Sequence, residues 1–497
     1  MASIRKTKTG SGATAVQVVR YTHRRIEVLK HIGSGRSDEE VKALIESAQA
    51  WKRSITEQPS LFPSAAPRTF SMEDTEYVGA TRQLLYQVLL TMADRCGFTA
   101  LGDQVLLDLA VMRLVEPASM LRSLALLSEY FDVEHARRTV TRSLRGMQAH
   151  KGQVERIAAD YAKTQLKDPL RLVLYDVTTL YFESFEADAL RVPGFSKDNK
   201  PQQPQIVVGL LVTSMGFPLG YEVFPGNTFE GKTMLPMLDA FVAAHGVKHP
   251  VVVADAAMLS AALFEALKTK GLSYIVGARL SGAGKELIQR VSRELAGRDG
   301  ALLRLPTAHG DLICSFSAKR YGKDKNTLDK QVAKAQALVD KGEPGRRAKF
   351  VKAVKGKEGY LLDQELLAKN TLLLGIKGYY TNIPRKRMRD AQVVAHYHGL
   401  WRVEKAFRMA KSDLAARPVF HHREHAVRAH LLICFVALAI GSSMEIATGA
   451  SIRSITDQLR RVTEAQFRLK ATGEVFRMRT KIPDQTIELL HKLRVPY

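Results

Sequence analysis

The sequence predicts an α/β fold with a mostly helical N-terminal region, and three observations carry that prediction. Strand-like and helix-like segments alternate from about residue 170, acidic residues break two of the apolar strands, and helical periodicity dominates residues 74–165. Strands are read at 170–183, 205–213, 218–224, 250–254 and 273–280, with Met215 and Gly216 turning the second into the third. Helices are read at 233–245 and 259–270.

Three strands, helix, strand, helix, strand is the order of a ribonuclease-H-like catalytic core, a mixed five-stranded sheet with helices. There the first strand carries a carboxylate mid-length and the fourth delivers another at its end. Asp176, inside the apolar run 172–177, and Asp255, closing the apolar run 251–254, fall in those places. An unpaired carboxylate gains nothing from burial in an apolar strand, and bound cations would remove the cost. Taken singly, Asp176 also reads as a strand-end cap and Asp255 as a helix N-cap. Residues 281–370 break the alternation with short strands at 302–305 and 312–316, a Lys-rich helix at 325–341 and a Gly/Lys-rich stretch at 342–359. They are expected to form a strand-containing insertion that adds basic surface. After it, 371–382 returns to strand and 390–412 to helix.

The segments before the core divide at a proline-rich stretch. Residues 14–35 read as a β-hairpin and 37–51 as a helix, with Ser37 and Glu40 in capping-box spacing. Pro59, Pro63 and Pro67 mark a linker. Within 74–165, the pieces 117–127 and 134–147, with Asp132 as a cap between them, resemble a helix-turn-helix whose second helix carries Arg137, Arg138, Arg142 and Arg145. An amphipathic helix with a solvated basic face explains the same residues. The expected organisation is therefore 1–58 hairpin plus helix, 59–73 linker, 74–165 helical DNA-binding region and 166–280 the N-terminal half of the catalytic core. Then come 281–370 insertion, 371–445 the C-terminal half of the core with the Glu404 helix, and 446–497 C-terminal helical region.

Charge narrows the partner. Among 497 residues, 74 Lys and Arg stand against 50 Asp and Glu, a net +24 that predicts a polyanionic partner, nucleic acid first. Aromatics make up 7%, without the repeated stacking platform that an RNA-binding protein would need. Cys96, Cys314 and Cys434 are far apart and form no CxxC pair, so no zinc ribbon or disulfide framework is expected and a reducing cytoplasm fits. His421, His422, His425 and His430 have no cysteine near them and read as a polar turn and helix start rather than a zinc site. The N-terminus has no apolar signal core, and the longest apolar run, 431–440, is too short to span a bilayer, so no membrane association is expected.

Glu404 is singled out by spacing. Tyr397, Glu404 and Lys411 recur at seven-residue intervals, two helical turns, which returns each to nearly the same face. Arg408, one turn beyond Glu404, joins that face, whereas Arg402 points elsewhere. A carboxylate flanked by a phenol and two cations suits phosphate chemistry, although Glu404, Arg408 and Lys411 also suit ordinary surface pairing. Trp401 is expected to pack against the sheet in preference to stacking on a displaced base.

Several stretches together resemble one family. They are YDVTTLYFE at 175–183, GFSKD at 194–198 with PQI at 204–206, FPGN at 224–227 with Thr233, VVADA at 252–256, and YYTN at 379–382. The longest is YHGLWRVEKAFRMAK at 397–411, followed by RPV at 417–419. The chain resembles a DDE transposase of the insertion-sequence-4 superfamily, most closely its insertion-sequence-1634 branch. That family's signature is Tyr, two residues, Arg, three residues, Glu, six residues, Lys. Here it reads Tyr397, Leu400, Glu404 and Lys411, so Leu400 stands where the family has Arg, and Arg408 is the favoured substitute.

The resemblance implies Asp176, Asp255 and Glu404 as catalytic metal ligands. Asp176 would bridge two Mg²⁺ ions, Asp255 would take one and Glu404 the other, with Mn²⁺ able to replace Mg²⁺. Tyr397, Arg402, Arg408 and Lys411, with Arg137, Arg138 and Arg142, are the expected DNA contacts. The partner would be double-stranded DNA, as terminal inverted repeats and target, held by a homodimer in a cytoplasmic, nucleoid-associated setting. Water would cut the element's ends and the freed 3′-OH groups would attack target DNA. A nuclease without strand transfer and a transposase-derived DNA-binding protein are the alternatives.

Overall fold

The computed structural model describes the chain except residues 1, 11, 23–24, 57–71, 184–185, 196–201, 259, 296, 342–348, 355–358, 418, 420 and 422. Most of the expected linker, residues 196–198 of one resembling stretch, and His422 lie outside the described residues. The chain divides into two units, one of residues 1–76 with 469–472, the other of residues 77–468 with 473–497.

In the first unit the expected hairpin is present as β2 (Thr14–Thr22) and β3 (Arg25–Gly35), and β1 (Ala2–Lys8) extends it to three antiparallel strands. The sequence reading missed β1 because Arg5, Lys6 and Lys8 mask its alternation. Helix α1 (Asp38–Thr56) covers Val16 and Val18 of this sheet. Its capping box is made: the Glu40 amide donates to Ser37 Oγ at 3.2 Å and the Ser37 amide to Glu40 Oε2 at 3.4 Å.

The second unit opens with β4 (Thr75–Thr81), then α2 (Gln83–Cys96), α3 (Gln104–Val115), α4 (Met120–Phe131), α5 (Arg137–Gly146) and α6 (Lys151–Thr164). Asp132 is a cap, as expected, and it closes the first helix of the expected helix-turn-helix. It sits left-handed at φ 59° as the C-cap of α4, its amide bonded back to Leu127 and Ser128. Helix α5 begins later, at Arg137, and packs on α3 and on the long helix described below.

The sheet follows: β5 (Leu172–Tyr181), β6 (Gln205–Thr213), β7 (Pro218–Pro225), α7 (Met234–His245), β8 (Val251–Ala254), α8 (Ala261–Thr269) and β9 (Ser273–Ala278). Helix α9 (Lys285–Leu295), β10 (Leu302–Thr307), β11 (Gly310–Phe316), α10 (Ala318–Lys341), β12 (Val351–Ala353), β13 (Tyr360–Leu362) and α11 (Gln364–Leu372) make up the stretch read as an insertion. Then come β14 (Ile376–Thr381), α12 (Asp390–His398) and α13 (Trp401–Arg408). The chain closes with α14 (Glu424–Thr448), α15 (Ile452–Arg460), β15 (Glu464–Leu469), β16 (Val475–Arg479) and α16 (Asp484–Leu493). The C-terminal region is thus not purely helical.

The strand order is β10-β11-β14-β9-β8-β5-β6-β7. β7, β6 and β5 run antiparallel and β5, β8 and β9 parallel, so the five strands read from the sequence are neighbours. The sheet has eight strands rather than five. β14 pairs with β9, β11 with β14 and β10 with β11, all antiparallel, so two strands of the presumed insertion continue the sheet. An open β14 edge would leave a row of unpaired backbone groups, and β11 satisfies it.

One hydrophobic cluster joins α2 to α6, the sheet and the C-terminal helices. At its centre runs α14, whose residues 429–445 are buried. This 25-residue helix, with a mean hydropathy of 2.0 over its most apolar window, is long and apolar enough to cross a membrane by composition. Within that window 78% is buried in the protein, where α14 packs on α2, α3, α5, α16 and β7. The ten-residue run read from the sequence is only its middle. All three cysteines are buried thiols, with burial pushing Cys96 and Cys314 up to about 12.

Candidate active site

Sheet register brings the first two acids together. β5 and β8 pair in parallel up to Tyr175 beside Ala254, so Asp176 and Asp255 are the next residues on adjacent strands. β8 ends here, whereas β5 continues to Tyr181 against β6. β8 pairs in turn with β9 up to Ala254 beside Val276, and Gly277 of β9 lies opposite Tyr379 of β14. Asp176, Asp255, Gly277 and Tyr379 therefore form one row across four strands.

Strand alternation sets the face. Tyr175 is fully buried and its hydroxyl donates to Thr233 Oγ1 at 2.7 Å, on the α7 side. Asp176 points oppositely, to the face shared by Thr178 and Leu180. That face is covered by α13, since Thr178 and Leu180 line a small cavity with Phe407 and Lys411. Asp176 is half-buried, and Oδ1 accepts the Val177 amide at 2.8 Å. Asp255 is exposed, and its Oδ1 accepts the Tyr397 hydroxyl at 2.8 Å.

Tyr397 reaches Asp255 by crossing β9. Its ring packs against Tyr379 with centroids 4.8 Å apart, and a Cβ on Gly277 would lie 2.9 Å from its Cζ. Glycine at 277 is what lets the phenol lie across the strand. Burial first, then Asp255, push the Tyr397 phenol well above its ordinary value, so it stays protonated and remains a donor.

The helix carrying Glu404 is not continuous. The amides of Gly399 and Leu400 bond to carbonyls of the α12 end, and α13 starts afresh at Trp401. After Arg408 the chain makes one π turn, Met409–Asp413, closed by the Leu414 amide on the Met409 carbonyl at 3.0 Å. The break and the π turn disturb the expected seven-residue phase. Tyr397 and Glu404 still act on one another electrostatically. Lys411 lines the cavity beside Thr178 and Leu180, on the face that Asp176 shares. Glu404 and Arg408 are exposed, and Glu404 makes no side-chain hydrogen bond or ion pair among the described residues. The surface pairing of Glu404 with Arg408 and Lys411 is therefore not observed.

The other candidates are dispersed. Arg402 lies against the β6–β7 turn at Met215 and Gly216, its guanidinium 5.1 Å from the Trp401 ring centroid. Trp401 does not pack on the sheet as expected. It is 52% exposed, because the restarted helix turns this position outward. Arg137, Arg138, Arg142 and Arg145 are all exposed on α5, where Val140 is the buried residue. His430 is buried and held neutral, pulled down to about 3 by burial and then by Arg113, with Nε2 at 3.2 Å from the Ala416 carbonyl oxygen.

Sequence reading missed Lys377 on β14. Its ammonium sits 4.5 Å from the Tyr397 ring centroid. Burial, then Arg320, lower its pKa, while Asp255 and Glu404 raise it. Lys377 thus feels both Asp255 and Glu404. No sequence signal distinguished it among 74 basic residues.

The donor set is all oxygen, which suits Mg²⁺ or Mn²⁺. Two carboxylates in neighbouring register positions, one within β5 and one just past β8, fit such an ion, which needs one or two carboxylates besides substrate phosphate and water. Among the described residues, no group of three or more His, Cys, Asp or Glu side chains is gathered as a metal site, although Asp255 and Glu404 both act electrostatically on Tyr397 and Lys377.

Residues 167–440 match a family described as Transposase DDE domain. Among solved structures, the chain is similar to a piggyBac transposase synaptic complex with hairpin DNA at 11% identity. That match covers 85% of this chain and 77% of the other, with a TM-score of 0.37. It is also similar to a Mos1 transposase paired-end complex with the left transposon end, at 12% identity. Here 47% of this chain and 66% of the other are covered, with a TM-score of 0.16. Comparison with curated proteins gave no match.

Proposed function

The chain belongs to the transposase DDE-domain family, and from that premise we propose that it cuts DNA at the ends of an insertion sequence and joins the 3′-OH ends to target DNA. Its core on this reading is ribonuclease-H-like, of the insertion-sequence-4 superfamily and its insertion-sequence-1634 branch. The neighbouring order β7-β6-β5-β8-β9 supports it. The observation that carries the reading is the adjacency of Asp176 and Asp255 on parallel strands, on the face covered by the Glu404 helix.

Asp176 would hold both metal ions, Asp255 one and Glu404 the other. Two divalent ions, when bound, activate the attacking oxygen, neutralise the pentacoordinate phosphorus centre and accept charge on the leaving oxygen. Tyr397 fixes one oxygen of Asp255 with its hydroxyl and leaves the second free for coordination. Arg408 is exposed beside Glu404, in place to grip a phosphate oxygen in the role of the signature Arg that Leu400 replaces. Among the described residues the three acids are not gathered as a metal site, so bound ions and DNA would draw them together. Two DNA ends must be held at once, so a homodimer on the inverted repeats is the working assembly.

The test is cleavage and joining by purified protein, with Mg²⁺, on a DNA fragment carrying the coding gene and its flanking sequence. Cut ends and joined products are expected. Asp176→Ala, Asp255→Ala and Glu404→Ala should each lower cleavage by about 10³-fold or more while DNA binding persists. Cleavage that survives all three changes overturns the assignment. Cuts without joined products would make the protein a nuclease.

A further inference from the structure

A second basic feature borders the acid row and is absorbed by none of the roles above. Between β9, β14, α10 and α11 lies a cavity of about 350 Å³ lined by Arg320, Lys349 and Lys377 among other polar groups. Asp324 is the carboxylate in its wall, paired with Arg320 Nε at 3.2 Å, and Lys349 donates to Asn370 Oδ1 at 3.1 Å. Three cations therefore face one acid. Lys377 is half-buried, yet its ammonium has no hydrogen-bond or ion-pair partner among the described residues, although it has three donors to place. The Tyr397 ring satisfies one side of it electrostatically and leaves the N–H groups unspent. A half-desolvated cation in this state is poised for an anion, and the cavity admits one beside it.

The position says which anion. Lys377 borders Tyr397, and Tyr397 is bonded to Asp255, so the cavity begins one side chain from the acid row. Arg320 stands at the start of α10, the Lys-rich helix of the stretch inserted between the strand acids and the helix acid. Building on the proposed cleavage reaction, we propose that Lys377 and Arg320 form a phosphate seat for one phosphodiester of the DNA strand next to the reacting phosphate. The seat anchors that strand so that the scissile phosphate falls over Asp176 and Asp255. The inserted stretch thereby supplies a strand contact of the active site and is more than added surface charge.

The experiment measures binding of a labelled mixed-sequence duplex with a free 3′-OH end across a salt series, using full-length protein in a Glu404→Gln background. Lys377→Met and Arg320→Ala should each reduce the slope of log affinity against log salt by about 0.7–0.9, the loss of one phosphate contact. Lys377→Arg should restore the slope, and thermal unfolding of each variant separates contact loss from misfolding. In the otherwise native protein, Lys377→Met should lower kcat/KM for cleavage by about tenfold. Unchanged slopes in both folded variants overturn the seat. If the native protein cuts DNA and the slopes do not move, the seat fails alone. If the slopes fall and the native protein cuts nothing, the seat stands and the cleavage reading fails.

Discussion

The strand acids and the helix acid are held in different ways. Asp176 lies within β5, locked in the sheet ladder, and Asp255 directly follows β8, its carboxylate held by the Tyr397 hydroxyl. Glu404 rides on eight residues of α13, set off by a break at Gly399 and Leu400 before it and a π turn after it. Its side chain is exposed and has no partner among the described residues. The strand-side acids are thus fixed by sheet and hydrogen bond, whereas Glu404 sits on a short helix bounded by a change of helical register on each side and anchored by the buried Val403, Ala406 and Phe407. On the proposed reading, the strand-side acids would be the first to hold an ion.

That contrast can be broken first by metal binding without DNA. Asp176→Asn or Asp255→Asn should weaken Mn²⁺ binding, read by its electron paramagnetic resonance signal, by at least about tenfold. Glu404→Gln should leave it nearly unchanged. Equal losses at all three positions would show that the helix acid is already engaged in the free protein.

The next largest effect is expected at Gly277. A Cβ there meets the Tyr397 ring, so Gly277→Ala should push the phenol off Asp255. Cleavage should fall by about 10–100-fold, since displacement of about 1 Å is enough for such a loss. Stability should fall by about 1–3 kcal/mol from overpacking, read by urea unfolding. Native cleavage rates in this variant would show that Asp255 does not need the Tyr397 contact.

Tyr397→Phe is a gentler probe, keeping the ring and removing the bond. Cleavage should drop about tenfold. Burial raises the phenol above its ordinary value of 10.0, so the folded state keeps a proton that the unfolded chain releases at alkaline pH. Its contribution to stability is full below about pH 10 and is lost as pH rises beyond that. The variant should therefore lose less stability than the native protein in thermal melts between neutral and strongly alkaline pH.

The smallest effect concerns the α5 arginines, which we place in DNA binding away from the chemistry. Arg137→Ala, Arg138→Ala and Arg142→Ala should each weaken duplex binding a few-fold and lower the salt slope by about 0.9 per phosphate contact, with kcat unchanged. A change in kcat without a change in slope would move α5 into the active site.

Much of the scaffold could be read from residue order. Asp176 and Asp255 stood out because a carboxylate in an apolar strand needs a reason, and the five central strands followed from alternation and turn residues. The Ser37 and Glu40 cap was legible because it is a contact between residues three apart. Lys377, Gly277 and the exposure of Trp401 were not legible. Each takes its meaning from a neighbour far along the chain: Lys377 and Gly277 from Tyr397, and Trp401 from a helix restart that the periodicity of 390–412 concealed. Asp132 is a cap, as its place between two helices suggested, and the structure assigns it to the end of α4.

By itself the sequence determined the five central strands and the helices between them, the acids within β5 and after β8, the strongly basic charge and the spacing that picks out Glu404. These follow from local periodicity and from the desolvation cost of charge, both written in neighbouring residues. Tertiary structure alone decided that Asp176 and Asp255 end side by side, that β10 and β11 continue the sheet, and that Tyr397 crosses Gly277 to reach Asp255. It also decided that Lys377 stands between the acids and a basic cavity. Those are matters of register and long-range packing, where the partner of each residue is fixed by the whole fold and not by its neighbours in the chain.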